Sequence, residues 1–170
     1  MEQVFFTNKI HAGQIKKYQE EIQNKSDTKL NIITNKITVS ARDAAPFYFF
    51  ETFIDAINLS YDIKDALKLF EENYRLETIN IKDFHVRSPA DLKRIRARLI
   101  GRQGKTKQDF EKTTNTKIKV QNKKVTILGT IQEVQAARLA LTRLMSGSKI
   151  DKALGFAQDR IEKSEFNEWK

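Results

Sequence analysis

The sequence predicts an α+β fold in which one small module, a three-stranded sheet with helices on one face, occurs twice and is followed by a C-terminal helix. Residues 28–41 and 116–129 repeat the same order of threonines, lysines and apolar side chains at a constant offset of 88 positions. Both stretches alternate polar and apolar residues, as half-buried strands do. Each stretch also lies between two segments in which apolar residues recur at helical spacing.

The second copy shows the order of elements most clearly. Ser88 and Pro89 are typical of a helix start, and Gly101 and Gly104 interrupt the helical pattern that follows. The periodicity predicts, in order, a strand over 76–86, helices over 90–100 and 105–114, strands over 116–120 and 124–129, and a helix over 130–145.

The first copy is predicted to be a degenerate form of the same module. A helix over 14–25 and an apolar helix over 42–59 flank its strands. Where the second copy has its glycine-bracketed turn, the first keeps one glycine, Gly13, and almost no arginine. Residues 60–73 are predicted to form an extra helix, capped by Ser60, that links the copies.

We therefore expect two domains, residues 1–75 and 76–170. The second includes the C-terminal helix, for which Ser148 begins a capping signal ahead of an apolar stripe. We expect this helix to pack back on the modules, with Phe166 and Trp169 docked there or on a partner.

Positive charge is concentrated around the two glycines. The chain has a net charge of +9, and residues 86–124 alone hold 13 basic and 3 acidic side chains. Such a local field favours a polyanionic partner.

The composition excludes several classes of protein. There is no cysteine, which rules out disulfides and thiolate metal sites and fits a reducing compartment. The N-terminus has no signal peptide pattern, and no apolar run reaches the length of a membrane span. His11 and His85 have no partners at metal-ligand spacing, and no nucleophile–base pair or paired carboxylates indicate catalysis. We expect a cytoplasmic, non-enzymatic protein without cofactor, metal or membrane contact.

The chemistry of the predicted site comes from residues 101–104, which we call the glycine turn. A Gly-x-x-Gly turn lets the backbone approach a sugar-phosphate chain, because glycine carries no Cβ. The second helix begins at the turn, so its free N–H groups and positive dipole end would face the phosphates. The two helices and the turn on one side, and the strand over 116–120 on the other, would form a narrow groove suited to single-stranded nucleic acid. The residues predicted to bind RNA are Arg96, Arg98, Ile100, Gly101, Arg102, Gln103, Gly104, Lys105, Thr106, Lys107, Ile118, Lys119 and Val120.

Two other interpretations of the glycine turn are weaker. Gly104-Lys105-Thr106 imitates the end of a P-loop, but Leu99 stands where a P-loop has its first glycine, and no buried strand precedes it. Gly101 could also be a simple helix C-cap. The repeat, the element order and the charge peak favour nucleic-acid binding over both.

The order of elements and the sequence around the glycine turn resemble a known family of domains. The order strand, helix, glycine turn, helix, strand, strand, helix resembles a type I KH domain, because the other KH topology places the extra strand and helix before the core. The stretch RLIGRQGKTKQDFEKTTNTKIKVQNKKVTILGT, residues 98–130, is similar to the second KH domain of the small-subunit ribosome assembly factors called Dim-two or partner of Nob. Residues 59–81 resemble the segment that joins that family's two KH domains. The resemblance covers roughly 28–160, and the length looks like the archaeal form.

The resemblance implies an RNA-binding protein in the maturation of small-subunit rRNA, bound near the 3′ end of that RNA and cooperating with the Nob endonuclease. By position, the glycine turn matches the family's phosphate-cradling loop, and Lys105, Thr106 and Lys107 match its basic continuation. The first module has lost this loop, so we expect it to be a scaffold or a protein-docking face. Two alternatives remain open: a scaffold that positions the endonuclease with RNA contact secondary, and a KH-type regulator of messenger RNA.

Overall fold

The computed structural model describes the backbone of residues 1–168 and the side chains of residues 1–163, so Phe166 and Trp169 lie outside the side chains it describes. The chain divides into two units, residues 1–74 and 75–170. Each unit is α+β with one three-stranded sheet, which agrees with the predicted fold class. Within the described part of the chain, no helix has both the length and the apolar character needed to span a membrane.

The first unit contains a strand that the sequence analysis missed. This strand, β1, is the edge of a sheet with the order β1-β3-β2, in which both pairings are antiparallel. The elements are β1 (Glu2–Phe6), α1 (Lys9–Lys17), α2 (Gln19–Ser26), β2 (Lys29–Ile33), β3 (Lys36–Ser40), α3 (Ala45–Asn58) and α4 (Ile63–Ala66), which tightens into a 3-10 turn over Leu67–Phe70.

Two local predictions for the first unit are wrong. The helix expected over 14–25 is two helices that meet at Tyr18, and Gly13 lies inside α1 and forms no turn. The helix over 60–73 is shorter than expected, and its cap is Asp62, whose carboxylate accepts a hydrogen bond from the Lys64 N–H at 2.9 Å. Ser60 cannot take that position because it has a left-handed φ of 62°.

The second unit follows the predicted order of elements. Its strands pair in the order β4-β6-β5. The elements are β4 (Tyr74–Asn80), α5 (Pro89–Ile100), a 3-10 turn over Arg102–Gly104, α6 (Lys105–Thr114), β5 (Lys117–Gln121), β6 (Lys124–Thr130), α7 (Ile131–Met145) and α8 (Ile150–Glu168).

The first predicted strand of this unit is too long. It ends at Asn80, because the Asn80 side chain accepts a hydrogen bond from the Lys82 N–H at 3.1 Å and starts a 3-10 turn. His85, further along the predicted strand, has a left-handed φ of 53°, which is incompatible with extended chain.

The repeat seen in the sequence is also a repeat of hydrogen bonds. In the first unit, α2 ends at Asp27, which has a left-handed φ of 49°. The Ser26 hydroxyl donates to the Ile22 carbonyl at 2.6 Å and lies 2.7 Å from the hydroxyl of Thr28. Two buried hydroxyls thus join the end of the helix to the start of β2.

The second unit builds the same junction 88 positions later. Asn115 follows α6 with a left-handed φ of 52°. The Thr114 hydroxyl donates to the Phe110 carbonyl at 2.7 Å and lies 2.8 Å from the hydroxyl of Thr116. The hairpins that follow share one register, since β2 and β3 pair from Lys29↔Ser40 and β5 and β6 from Lys117↔Leu128.

The C-terminal helix α8 completes the core of the second unit, as predicted. It packs on α6 and α7 and contributes two fully buried alanines, Ala153 and Ala157. They join a cluster that includes Phe110 of α6 and Ile127 of β6.

We predict that Thr114→Val destabilises the protein by about 1–3 kcal/mol, because it leaves the buried Thr116 hydroxyl without its partner. Urea denaturation measures the change, with Thr113→Val as the matched control on the less buried side of α6. The double change Thr114→Val with Thr116→Val should recover part of the loss, since it removes both polar partners. Equal losses for Thr113→Val and Thr114→Val would contradict the role of the hydroxyl pair.

Candidate nucleic-acid interface

The glycine turn has a left-handed backbone at three of its four residues. Gly101 has φ 74° and ψ 177°, Gln103 has φ 53°, and Gly104 has φ 80°. This path ends α5 abruptly and starts α6 in a new direction within four residues.

The two glycines are required for different reasons. A Cβ on Gly101 would stand 2.7 Å from both the Cβ and the backbone nitrogen of Thr106, so the turn packs against the first turn of α6 only because that atom is missing. A Cβ on Gly104 would meet only the Gln108 amide, at 3.9 Å. One side of the turn is therefore closed by packing, and the backbone at Gly104 is open to a ligand.

The N-terminus of α6 lacks a cap, unlike those of its neighbours. Helices α5 and α7 start with capping boxes, built by Ser88 with Asp91 and by Thr130 with Glu133. Among the described side chains none caps α6, and its first turn contains no acidic residue. Its N–H groups and positive dipole end are thus free of carboxylate, which suits an anion.

The start of α5 shows the opposite arrangement. The Asp91 carboxylate accepts hydrogen bonds from the Ser88 hydroxyl at 2.9 Å and from the Arg87 N–H at 3.2 Å. These bonds, the Ser88 hydroxyl first, lower the pKa of the Asp91 carboxyl below its usual 3.8, so it is charged at neutral pH. This helix end is already neutralised by the protein itself.

Most of the predicted binding residues surround the glycine turn in the structure. Arg102, Gln103 and Lys105 are exposed, whereas Arg96 and Ile100 are half-buried, one helical turn apart on α5. The Arg96 Nε is buried and has no hydrogen-bond partner among the described residues.

The strand side of the expected groove is β5. It is an edge strand, and both α5 and α6 contact it. Lys119 and Val120 on this strand are half-buried, so each keeps part of its side chain accessible.

Four of the predicted contact residues are buried or bonded within the protein itself. Thr106 is 6% exposed and Ile118 is 2% exposed, because the first packs against Gly101 and the second lies in the core. Arg98 donates from Nη2 to the Ser148 carbonyl at 2.6 Å, and Lys107 Nζ lies 2.6 Å from Glu111 Oε2. Both cations are therefore already bonded to other groups of the protein.

Glu111 is a site residue that the sequence analysis missed. One carboxylate oxygen pairs with Lys107, and the other accepts a hydrogen bond from the Ile118 N–H at 2.7 Å. The carboxylate therefore ties α6 to the outer edge of β5 and fixes the width between them. Gln23 makes the corresponding bond to the Leu30 N–H at 2.8 Å in the first unit, so the repeat contained a signal for this role.

The described residues offer no other chemistry at this place. No group of three or more histidine, aspartate or glutamate side chains among them could hold a metal ion. A cavity of about 740 Å³ in the first unit lies at the bend between α1 and α2 and is lined by residues 16–21 and 23.

Comparison with known proteins points to one family. Residues 75–162 match the family described as "Eukaryotic type KH-domain (KH-domain type I)", in the form found as the second domain of PNO1 proteins. The chain is 28% identical over 166 residues to a KH domain-containing protein of Methanocaldococcus jannaschii, covering 93% of this chain and 71% of that protein. It is 30% identical over 150 residues to the pre-rRNA-processing protein PNO1 of Candida albicans, covering 87% of this chain but only 53% of that protein.

A solved structure shares the fold. Dim2p in the a/eIF2alpha–aDim2p–rRNA complex from Pyrococcus horikoshii superimposes with a TM-score of 0.74 at 24% identity, covering 96% of this chain and 95% of that one. The chain thus spans nearly all of this archaeal structure and about half the length of the fungal relative.

We predict that the two glycines respond differently to alanine. Gly104→Ala should cost about 1 kcal/mol, because only the left-handed backbone opposes it. Gly101→Ala adds a clash with the backbone of Thr106 and should cost at least about 2 kcal/mol. Thermal unfolding of the two variants measures the difference, and equal losses of stability would show that the packing of Gly101 on Thr106 is not tight.

Proposed function

Since this chain belongs to the type I KH-domain family, in the group of PNO1 and Dim2 proteins, we propose that it is a single-stranded RNA-binding factor in the biogenesis of the small ribosomal subunit. The observation that carries the proposal is the uncapped N-terminus of α6 beside the open backbone of Gly104. A phosphate placed there meets main-chain N–H groups, the helix dipole, and the exposed cations of Arg102 and Lys105.

The role in rRNA maturation is supported by the relatives. The Candida albicans protein is named for pre-rRNA processing, and the archaeal Dim2p structure contains rRNA. We propose that this chain binds the 3′ region of small-subunit rRNA and cooperates there with the Nob endonuclease. In this role the protein presents RNA and does no chemistry of its own.

The first unit is proposed to be a second, degenerate KH module. Its sheet order, hairpin register and hydroxyl junction repeat those of the second unit. It differs at the helix that follows the bend, because the first turn of α2 contains Glu20 and Glu21. Two carboxylates at that helix N-terminus repel phosphate, so the first unit keeps the scaffold without the RNA clamp.

A second candidate function rests on the exposed sheet face of the first unit. Phe6 and Ile33 both lie opposite Lys36 in neighbouring strands, so their side chains share one face. Each is 63% exposed, and Val4 on the same face is 41% exposed. Exposed apolar side chains grouped in this way favour a protein-docking scaffold for the first unit.

We predict that Arg102→Asp with Gln103→Asp abolishes the binding of single-stranded RNA, a loss of at least about 100-fold, because negative charge replaces cation and amide beside the phosphates. Both side chains are exposed, so thermal unfolding should be unchanged. With about four phosphates contacted, the parent protein should show a slope of log K against log salt near about −3.

The matched control makes the same charge change in the first unit. Gln14 and Lys16 are exposed on α1, and Gln14 lies 88 positions before Arg102. Gln14→Asp with Lys16→Asp should leave RNA affinity within about twofold. Unchanged RNA binding by the Arg102 and Gln103 variant would show that the glycine turn is not the clamp.

The same variants separate the two candidate functions. If docking is the main role, the purified Nob endonuclease is captured equally by the parent and by the Arg102 and Gln103 variant. Phe6→Lys with Ile33→Lys then removes capture while RNA binding persists. Capture that survives this change on the sheet face would exclude the docking surface.

A further inference from the structure

The start of α8 lies beside the glycine turn. Arg98 is in the last turn of α5, three residues before Gly101, and its Nη2 donates to the Ser148 carbonyl at 2.6 Å. Ser148 immediately precedes Lys149 and the first turn of α8. Residues three apart on a helix are about 5 Å apart, so the beginning of α8 is within one arginine side chain of the proposed clamp.

Charge is segregated around the surface of α8. One face, which we call the basic stripe, presents side chains at spacings of three and four residues. Its members are Lys149, Lys152, Phe156, Arg160 and Lys163. The four cations are exposed and Phe156 is half-buried. Asp151 and Glu162 lie on the far side of the helix, Asp159 borders the stripe, and the core face with Ala153 and Ala157 lies on the stripe's other flank.

An aromatic ring of the stripe holds one further cation, Arg143, and also contacts Arg160 of the stripe. The Phe156 ring centroid is 3.7 Å from the guanidinium carbon of Arg143, at the end of α7, and 5.1 Å from that of Arg160. A guanidinium already held against a ring loses less side-chain entropy when it meets a phosphate. The stripe is therefore a preorganised cationic surface.

We infer that the basic stripe, together with Arg143, is a second RNA-contact surface, which binds the phosphates of the strand beyond the nucleotides held at the glycine turn. The inference rests on the proposed RNA-binding function and extends its site. RNA is favoured as the occupant because the stripe starts where the clamp ends, at the Arg98–Ser148 hydrogen bond, so one continuous strand can reach both. The bound RNA is then longer than the four nucleotides that one KH clamp holds.

The test compares two lengths of unstructured RNA on the full chain. A probe of about five nucleotides fills the clamp alone, and one of about twelve also reaches the stripe. The variant is Lys149→Gln with Lys152→Gln, which removes two exposed charges without touching a residue proposed for the clamp. The control, Lys64→Gln with Lys68→Gln, removes two exposed charges from the first unit.

The parent should bind the long probe more tightly than the short one. At 0.1 M salt the stripe variant should lose about 25-fold on the long probe, and its salt slope should fall by about 1.4, as expected for two phosphate contacts to a single strand. Its affinity for the short probe, and both affinities of the control variant, should stay at the parent values.

Four results would overturn the inference while the clamp stands: equal affinity of the parent for both probes, no loss by the stripe variant, an equal loss on both probes, or an equal loss by the control. If the stripe variant keeps its affinity for RNA and loses only the binding of a protein partner, the stripe is a protein-docking surface and the inference is overturned. Failure of the parent to bind either probe would instead refute the proposed function itself.

Discussion

The packing of Gly101 against Thr106 sets the geometry on which the candidate site depends. With a Cβ at position 101, the turn could not close onto the first turn of α6, since that atom would stand 2.7 Å from the Thr106 backbone. None of the described side chains caps α6, so the positive end of this helix is not neutralised beside Gly104, and the Lys105 N–H of its first turn donates back to the Arg102 carbonyl. The proposed affinity for phosphate therefore depends first on the close packing of Gly101 on Thr106. The charges of Arg102 and Lys105 add to it.

The two units share one scaffold, and we propose that they differ in function. Both end the second helix with a left-handed residue and a pair of buried hydroxyls, and both fix the following strand with a side-chain bond, from Gln23 in one and Glu111 in the other. These bonds join the helix to the first strand of the hairpin in both units. The proposed difference in RNA binding comes from the charge of a single helix turn, where the first unit has Glu20 and Glu21 and the second has Lys105 and Lys107.

The sequence predicted the elements with strong periodicity and misplaced those decided by single side chains. The α5 to α7 order followed from apolar spacing and from glycines that no helix interior favours. The end of β4 was missed because one Asn80 side-chain bond competes with the sheet, and β1 was missed because a five-residue strand with one buried side chain has almost no pattern.

The sequence predicted the site as a stretch of chain, and the structure adds which of its side chains are buried or already bonded within the protein. The burial of Ile118 in the core and the Arg98–Ser148 bond depend on contacts between elements that are distant in sequence. No local pattern encodes such contacts. The two glycines and the concentration of positive charge located the turn, whereas the tertiary structure shows which of its neighbours are exposed.

The most direct test of the central claim is the change in backbone amide chemical shifts when a short single-stranded RNA is titrated into the full chain. A phosphate held by main-chain N–H groups predicts that the largest shifts fall on the amides of the glycine turn and the first turn of α6, and that the equivalent amides at the α1–α2 bend do not move. Saturable binding with those turn amides unshifted would contradict the account.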